Sequence, residues 1–147
     1  MERGRVIKST GSWYTVERAS GELIECRVRG KFRQKNIKST NPVAVGDWVM
    51  FYGETDEHVI SEIEDRKNYI VRKSVNLSKQ SHIIASNLDQ AVLVATLINP
   101  VTFPTFIDRF CVAAEAYHIL VVIVFNKIDI LDNEEREMLE SFRSVYT

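Results

Sequence analysis

Three polar side chains within four positions, in the segment Asn126-Lys127-Ile128-Asp129, have the types and spacing to read the edge of a purine. An Asn side-chain amide can donate to N7 and O6 of guanine, both of which are acceptors, while its oxygen stays free to accept from the protein. An ionised Asp two positions past the Lys can accept from both the N1–H and the exocyclic amine. Adenine presents no such pair of donors to a carboxylate, so the preference is for guanine. The Lys stem can lie along the flat base while its ammonium stays in water. A site built on such hydrogen bonds rejects analogues that leave its polar groups unpaired. The same Asn and Asp would also serve a plain polar turn and helix entry.

These residues need a rigid support, and the flanking sequence supplies one. Leu120 to Phe125 is uniformly apolar, as is Ala91 to Leu97, and both runs predict parallel strands covered on both faces. Between them Phe103, Phe106, Ile107, Phe110, Cys111, Ala114 and Tyr117 recur at steps of three and four around Asp108, Arg109 and Glu115. That is an amphipathic helix opened near Thr102 to Pro104. The unit reads β-α-β, with Asn126 immediately beyond the carboxyl end of its second strand, where open α/β sheets hold ligands. Asp132 can cap a following helix with Glu134 and Glu135 in its first turn and Met138, Leu139, Phe142, Val145 and Tyr146 on its apolar side.

The first half follows a different grammar. In Leu23 to Arg29 the residues Ile24, Cys26 and Val28 alternate with Glu25, Arg27 and Arg29, the mark of a strand with one buried face. Gly4 to Lys8, Trp13 to Arg18, Asp47 to Tyr52 and Val59 to Glu64 predict four more strands. Five short strands predict a closed barrel, which leaves no unpaired edge. Its core would include Trp13, Trp48 and Tyr52. From Arg27 to Lys38 the chain carries six cations and no carboxylate: Arg27, Arg29, Lys31, Arg33, Lys35 and Lys38. With Phe32 available for stacking, this run is a candidate RNA contact; the competing reading is a solvated basic loop. Residues 66 to 86 read as strand remnant and linker, dividing a barrel at 1–65 from an α/β unit at 87–147.

Composition narrows the partners. A chain of 147 residues that is 45% hydrophobic and 27% charged, with net charge -1, has no global attraction to nucleic acid or membrane, so any RNA surface must be a local patch. The start Met1-Glu2-Arg3-Gly4-Arg5 leads into no apolar signal stretch, and Ile119 to Phe125 is too short to span a bilayer. Cys26 and Cys111 form no Cys-x-x-Cys pair and read as buried thiols; His58, His82 and His118 stand at no metal-ligand spacing. A reducing cytoplasm is expected.

Asn126 to Asp129 match the guanine-specificity motif of GTPases, and no Gly-x-x-x-x-Gly-Lys-Ser/Thr precedes or follows them in the chain. Together with Asn87-Leu88-Asp89-Gln90, Asp108-Arg109-Phe110 on a helix and Val45-Gly46-Asp47-Trp48-Val49 in a strand-rich first half, this order resembles the RsgA (YjeQ/YloQ) family of circularly permuted GTPases. Ser86 stands where that family more usually has Ala, a departure read here as minor. The resemblance implies an OB-type barrel followed by the first βαβ portion of a permuted P-loop GTPase domain. It implies GTP and GDP with Mg2+, the small ribosomal subunit and its rRNA as partners, and late maturation of that subunit as the role, in a monomeric cytoplasmic protein. It also implies a P-loop, switch segments and a zinc-binding C-terminal domain beyond these residues, so no catalytic residue or metal ligand is assigned here. The alternative is an S1-like OB-fold RNA-binding module that needs no nucleotide.

Overall fold

The structure is a computed structural model and describes residues 1–28, 42–54, 57–73 and 81–146. The chain divides into two compact units, Met1–Leu88 and Asp89–Thr147.

In the first unit β1 (Glu2–Thr10), β2 (Trp13–Arg18), β3 (Leu23–Val28), β4 (Trp48–Glu54) and β5 (Glu57–Ile63) close into a barrel in the order β1-β2-β3-β5-β4. All neighbours are antiparallel except β3 and β5, which run parallel with Cys26 opposite His58. Register shifts at Val6/Lys8 in β1 and Met50/Phe51 in β4 provide the bends that closure requires. The core is Val6, Tyr14, Val16, Ile24, Cys26, Val43, Val49, Phe51, Ile60 and Ile63. Its aromatic members are Tyr14 and Phe51, not the expected Trp13, Trp48 and Tyr52. Trp13 is 37% exposed and Tyr52 48% exposed. Each neighbours a buried aromatic along its strand, so the pleat turns it to the opposite side.

The described residues of the stretch expected to be strand remnant and linker belong to the first unit. They contain β6 (Tyr69–Lys73) and β7 (Ser81–Ser86), an antiparallel pair with Ile83 buried. The pair is tied to the barrel through the Val45-Gly46-Asp47 segment. The Ser86 N–H donates to the Val45 carbonyl at 2.8 Å, and the Gly46 N–H donates to the Val6 carbonyl at 2.7 Å. Gly46 has φ 92, and a Cβ there would sit 2.0 Å from the Ser86 carbonyl oxygen, so only glycine fits. Asp47 is the centre of this junction. One carboxylate oxygen accepts from Arg66 Nε at 2.6 Å and from Ser86 Oγ at 2.5 Å, and the other from Arg66 Nη2 at 2.6 Å and the Ala44 N–H at 2.8 Å. Both ion-pair partners are buried, with side-chain exposures of 3% for Arg66 and 0% for Asp47. Ser86 is therefore an integral donor here, not the minor feature expected from the sequence.

In the second unit β8 (Gln90–Ala95) and β9 (Leu120–Phe125) pair in parallel, from Gln90 opposite Leu120 to Ala95 opposite Phe125. They are joined through α1 (Pro104–Glu115), which starts with Pro at its first position, and β9 leads on to α2 (Asn133–Tyr146). Leu93, Ala95 and Ile107 form the core, with Phe110, Ile123, Phe125, Phe142 and Tyr146 packed around them. Both helices thus serve one face of the strand pair. The other face, Val92, Val94, Leu120, Val122 and Val124, is exposed, so the two-sided cover expected from uniformly apolar strands is found on one side only among the described residues. Cys26 is fully buried, its thiol pushed up to about 12 chiefly by desolvation, whereas Cys111 is only partly covered.

Removing one partner of a buried ion pair leaves an uncompensated charge, so Asp47→Ala should lower the unfolding free energy by about 3–5 kcal/mol. Ser86→Ala, which deletes one donor, should cost about 1 kcal/mol. Urea unfolding followed by Trp fluorescence, both tryptophans lying in the barrel, measures this; an Asp47→Ala variant as stable as the parent would contradict the junction described.

Candidate functional site

Because β8 and β9 are parallel, their carboxyl ends share one edge. The Asn126 N–H donates to the Ala95 carbonyl at 2.8 Å, continuing the ladder by one residue and placing Asn126 on that edge. The Asn126 side-chain oxygen then accepts from the Lys127 N–H at 2.8 Å. Lys127 adopts the left-handed conformation, φ 61 and ψ 32, which costs a non-glycine residue about 1 kcal/mol or more and persists only where neighbours hold it. This reversal feeds a 3-10 turn, Ile128–Ile130, that carries Asp129.

Behind the turn, Asp132 and Glu135 form a reciprocal cap. The Glu135 N–H donates to Asp132 Oδ1 at 2.9 Å, and the Asp132 N–H donates to Glu135 Oε2 at 2.9 Å. Arg136 reaches back from α2 to donate to the carbonyls of Leu131 at 3.2 Å and Ile128 at 3.3 Å, which buttresses the turn from below. Asn126, Lys127 and Asp129 are all exposed. Among the described residues the Asp129 carboxylate has no hydrogen-bond or ion-pair partner, so its acceptors are free for a ligand. The Lys127 ammonium donates to the Asn99 carbonyl, in the loop after β8. Sequence reasoning passed over Asn99 and Arg136; the Asn99-Pro100 turn signal beyond the end of β8 was the available clue.

The other motif residues are structural within their units. Asp108 accepts from the Tyr146 hydroxyl at 2.6 Å, joining α1 to α2, and this bond, followed by desolvation, pushes the Tyr146 hydroxyl up to about 12. Asn87 has φ 53, accepts from the Lys67 N–H at 2.8 Å and donates to the Gly46 carbonyl at 3.0 Å; Asp89 is exposed. Of the basic run, Arg27 lies on β3 with its guanidinium 3.8 Å above the Trp13 ring. Arg29, Lys31, Phe32, Arg33, Lys35 and Lys38 lie outside the described residues. On the same barrel, Arg3 lies 4.0 Å above the Trp48 ring.

A closed β1-β2-β3-β5-β4 barrel followed by a βαβ unit with Asn-Lys-x-Asp at its carboxyl edge defines the circularly permuted GTPase class. The RsgA N-terminal domain family matches residues 3–60 and the RsgA GTPase family residues 63–147, so this chain belongs to the RsgA family. It is 56% identical over 146 residues to the small ribosomal subunit biogenesis GTPase RsgA of Bacteroides fragilis, covering 99% of this chain and 47% of that protein. The protein of the same name from Flavobacterium johnsoniae is 56% identical over 148 residues, covering 98% of this chain and 46% of that protein. The chain spans about half the length of the curated relatives it matches. Two solved structures are similar: YloQ, a circularly permuted GTPase, with TM-score 0.66 and 31% identity over 98% of this chain and 47% of that one, and YjeQ from Thermotoga maritima, with TM-score 0.70 and 34% identity over 97% and 47%.

The cap is a local test of how α2 supports the turn. Asp132→Ala should cost about 1 kcal/mol of stability while Asp132→Ser retains most of it, read by thermal circular dichroism. Identical melting of Asp132→Ala and parent would mean that the reciprocal cap does not hold α2.

Proposed function

We propose that this chain carries the base-reading half of a GTP-binding site and an RNA-binding barrel, in a protein that hydrolyses GTP while assisting late maturation of the small ribosomal subunit. The observation that carries the reading is the Asn126–Asp129 loop on the carboxyl edge of β8 and β9, with the Asp129 acceptors turned to no protein partner among the described residues. The Asn126 amide would donate to N7 and O6 of guanine while its oxygen keeps the Lys127 N–H, Asp129 would accept from the N1–H and amine, and the Lys127 stem would cover the ring.

The chemistry of phosphoryl transfer depends on a phosphate cradle and bound magnesium. Among the described residues no group of three His, Cys, Asp or Glu side chains is placed to hold a metal, and no P-loop sequence occurs. Residues 1–147 alone are therefore proposed to bind GTP weakly and to hydrolyse none. Magnesium would accompany the nucleotide in the intact protein, and zinc belongs to the further domain that the family resemblance implies. A monomeric cytoplasmic protein acting on rRNA within the small subunit remains the reading for the whole. The Arg27 stack on Trp13, an exposed cation and aromatic at the start of the basic run, favours RNA contact at this end of the barrel.

In the intact protein Asp129→Asn should shift preference from GTP toward XTP, because an amide can donate to the carbonyl that replaces guanine's amine. Competition binding with the two nucleotides measures it, and an unchanged preference would show that the loop does not read the base. For the barrel, replacing Lys31, Arg33 and Lys35 with Ala should weaken binding to small subunits and flatten its salt dependence by about 0.7–0.9 in log–log slope for each phosphate no longer neutralised. A mutant that melts like the parent and keeps both affinity and slope would place the RNA contact on another face.

A further inference from the structure

We propose that the loop between β8 and α1 positions Lys127 for the nucleotide, with the Asn99 carbonyl as its anchor and Thr96 and Thr102 as positioning residues. The proposal rests on the guanine reading given above and adds residues that the recognition motif does not contain.

The loop is closed on itself at its base. The Thr102 N–H donates to the Thr96 carbonyl at 2.8 Å, and the Thr96 N–H donates to Thr102 Oγ1 at 3.0 Å. The Thr96 hydroxyl donates to the Pro100 carbonyl inside the loop. Leu97 is buried beneath it. These bonds leave Asn99 in the left-handed region at φ 47, with its carbonyl facing the Lys127 ammonium across the edge shared by β8 and β9.

Two features separate this contact from an ordinary surface lysine. A long, exposed Lys side chain normally keeps its rotamer freedom, and fixing it costs entropy when a ligand arrives. Here both ends of the residue are held beforehand: the backbone by the Asn126 side-chain oxygen and the ammonium by Asn99. The acceptor is also a neutral carbonyl, not a carboxylate, so it fixes the ammonium without neutralising it. Lys127 thus presents an ordered stem to the base and, with no carboxylate paired to it among the described residues, a positive charge to a negatively charged nucleotide.

The test uses the intact protein and titration with N-methylanthraniloyl-GDP. Thr96→Val and Thr102→Val should each weaken binding roughly three- to tenfold, the effect of one missing hydrogen bond, and Thr96→Ser should restore it. If Thr96 acts through Lys127, Thr96→Val should add almost nothing in a Lys127→Ala background. Additive effects, or a lowered melting temperature with unchanged affinity, would overturn the proposal while leaving the guanine reading intact. No effect of Lys127→Ala would also overturn the proposal, whereas the guanine reading stands or falls with Asp129→Asn. Lysine-ammonium NMR of the unliganded parent gives a reading independent of loop variants: an ordered Lys127 resonance supports the anchor, and a freely rotating one overturns it.

Discussion

Parallel pairing of β8 with β9 is the constraint from which the candidate site follows. Two strands that point the same way must both end at the same edge, so the loop leaving β8 and the loop leaving β9 are neighbours regardless of the 24 residues of helix and turn between Ala95 and Leu120. The Asn126 N–H bond to Ala95 extends the ladder just far enough to fix where the second loop begins. Beyond that bond the backbone reverses at Lys127, and the reversal is supported from three directions: Asn126 beside it, Asn99 across the edge and Arg136 below. Asp129 is consequently carried on a braced turn, although its carboxylate is exposed. A braced backbone lowers the ordering cost of any contact that its side chains make with a ligand.

The first unit is organised around a different kind of constraint. A five-stranded barrel this small buries few large side chains, and its stability depends on each strand keeping its parity. The Asp47 carboxylate extends this fold to a hairpin that begins about twenty residues later, since Arg66 and Ser86 both converge on it. Removing water from both charges is costly, and only the full set of donors offsets that cost. The junction therefore specifies how the β6–β7 pair joins the barrel more than it adds net stability.

Signals confined to a few neighbouring residues were legible in advance. Alternation at period two located β3, strand-forming runs between turn signals located the other four barrel strands, the Pro104 start and three-and-four spacing located α1, and Asp132 announced α2. The candidate site residues Asn126, Lys127 and Asp129 were legible for the same reason, lying together in one strand-to-helix loop. What escaped notice depends on distant partners. The β6–β7 pair mixes Ile70, Val71, Ile83 and Ile84 with polar neighbours and shows no clean alternation, and the bond from Ser86 to Asp47 joins positions 39 apart in the chain. Trp13, Trp48 and Tyr52 were assigned to the core by bulk, whereas the parity of Tyr14, Val16, Val49 and Phe51 already assigned that side of the pleat to other residues. The two-sided burial read from β8 and β9 came from composition, which states how apolar a strand is but not what lies against it. The Asn99 carbonyl meets Lys127 only because β8 ends beside β9.

A crystal structure of the intact protein with bound GDP would test the central claim most directly. The guanine is expected at the shared edge of β8 and β9, with the Asp129 carboxylate within about 3.2 Å of both N1 and the exocyclic amine. Guanine held elsewhere, or an Asp129 that touches neither nitrogen, would contradict it.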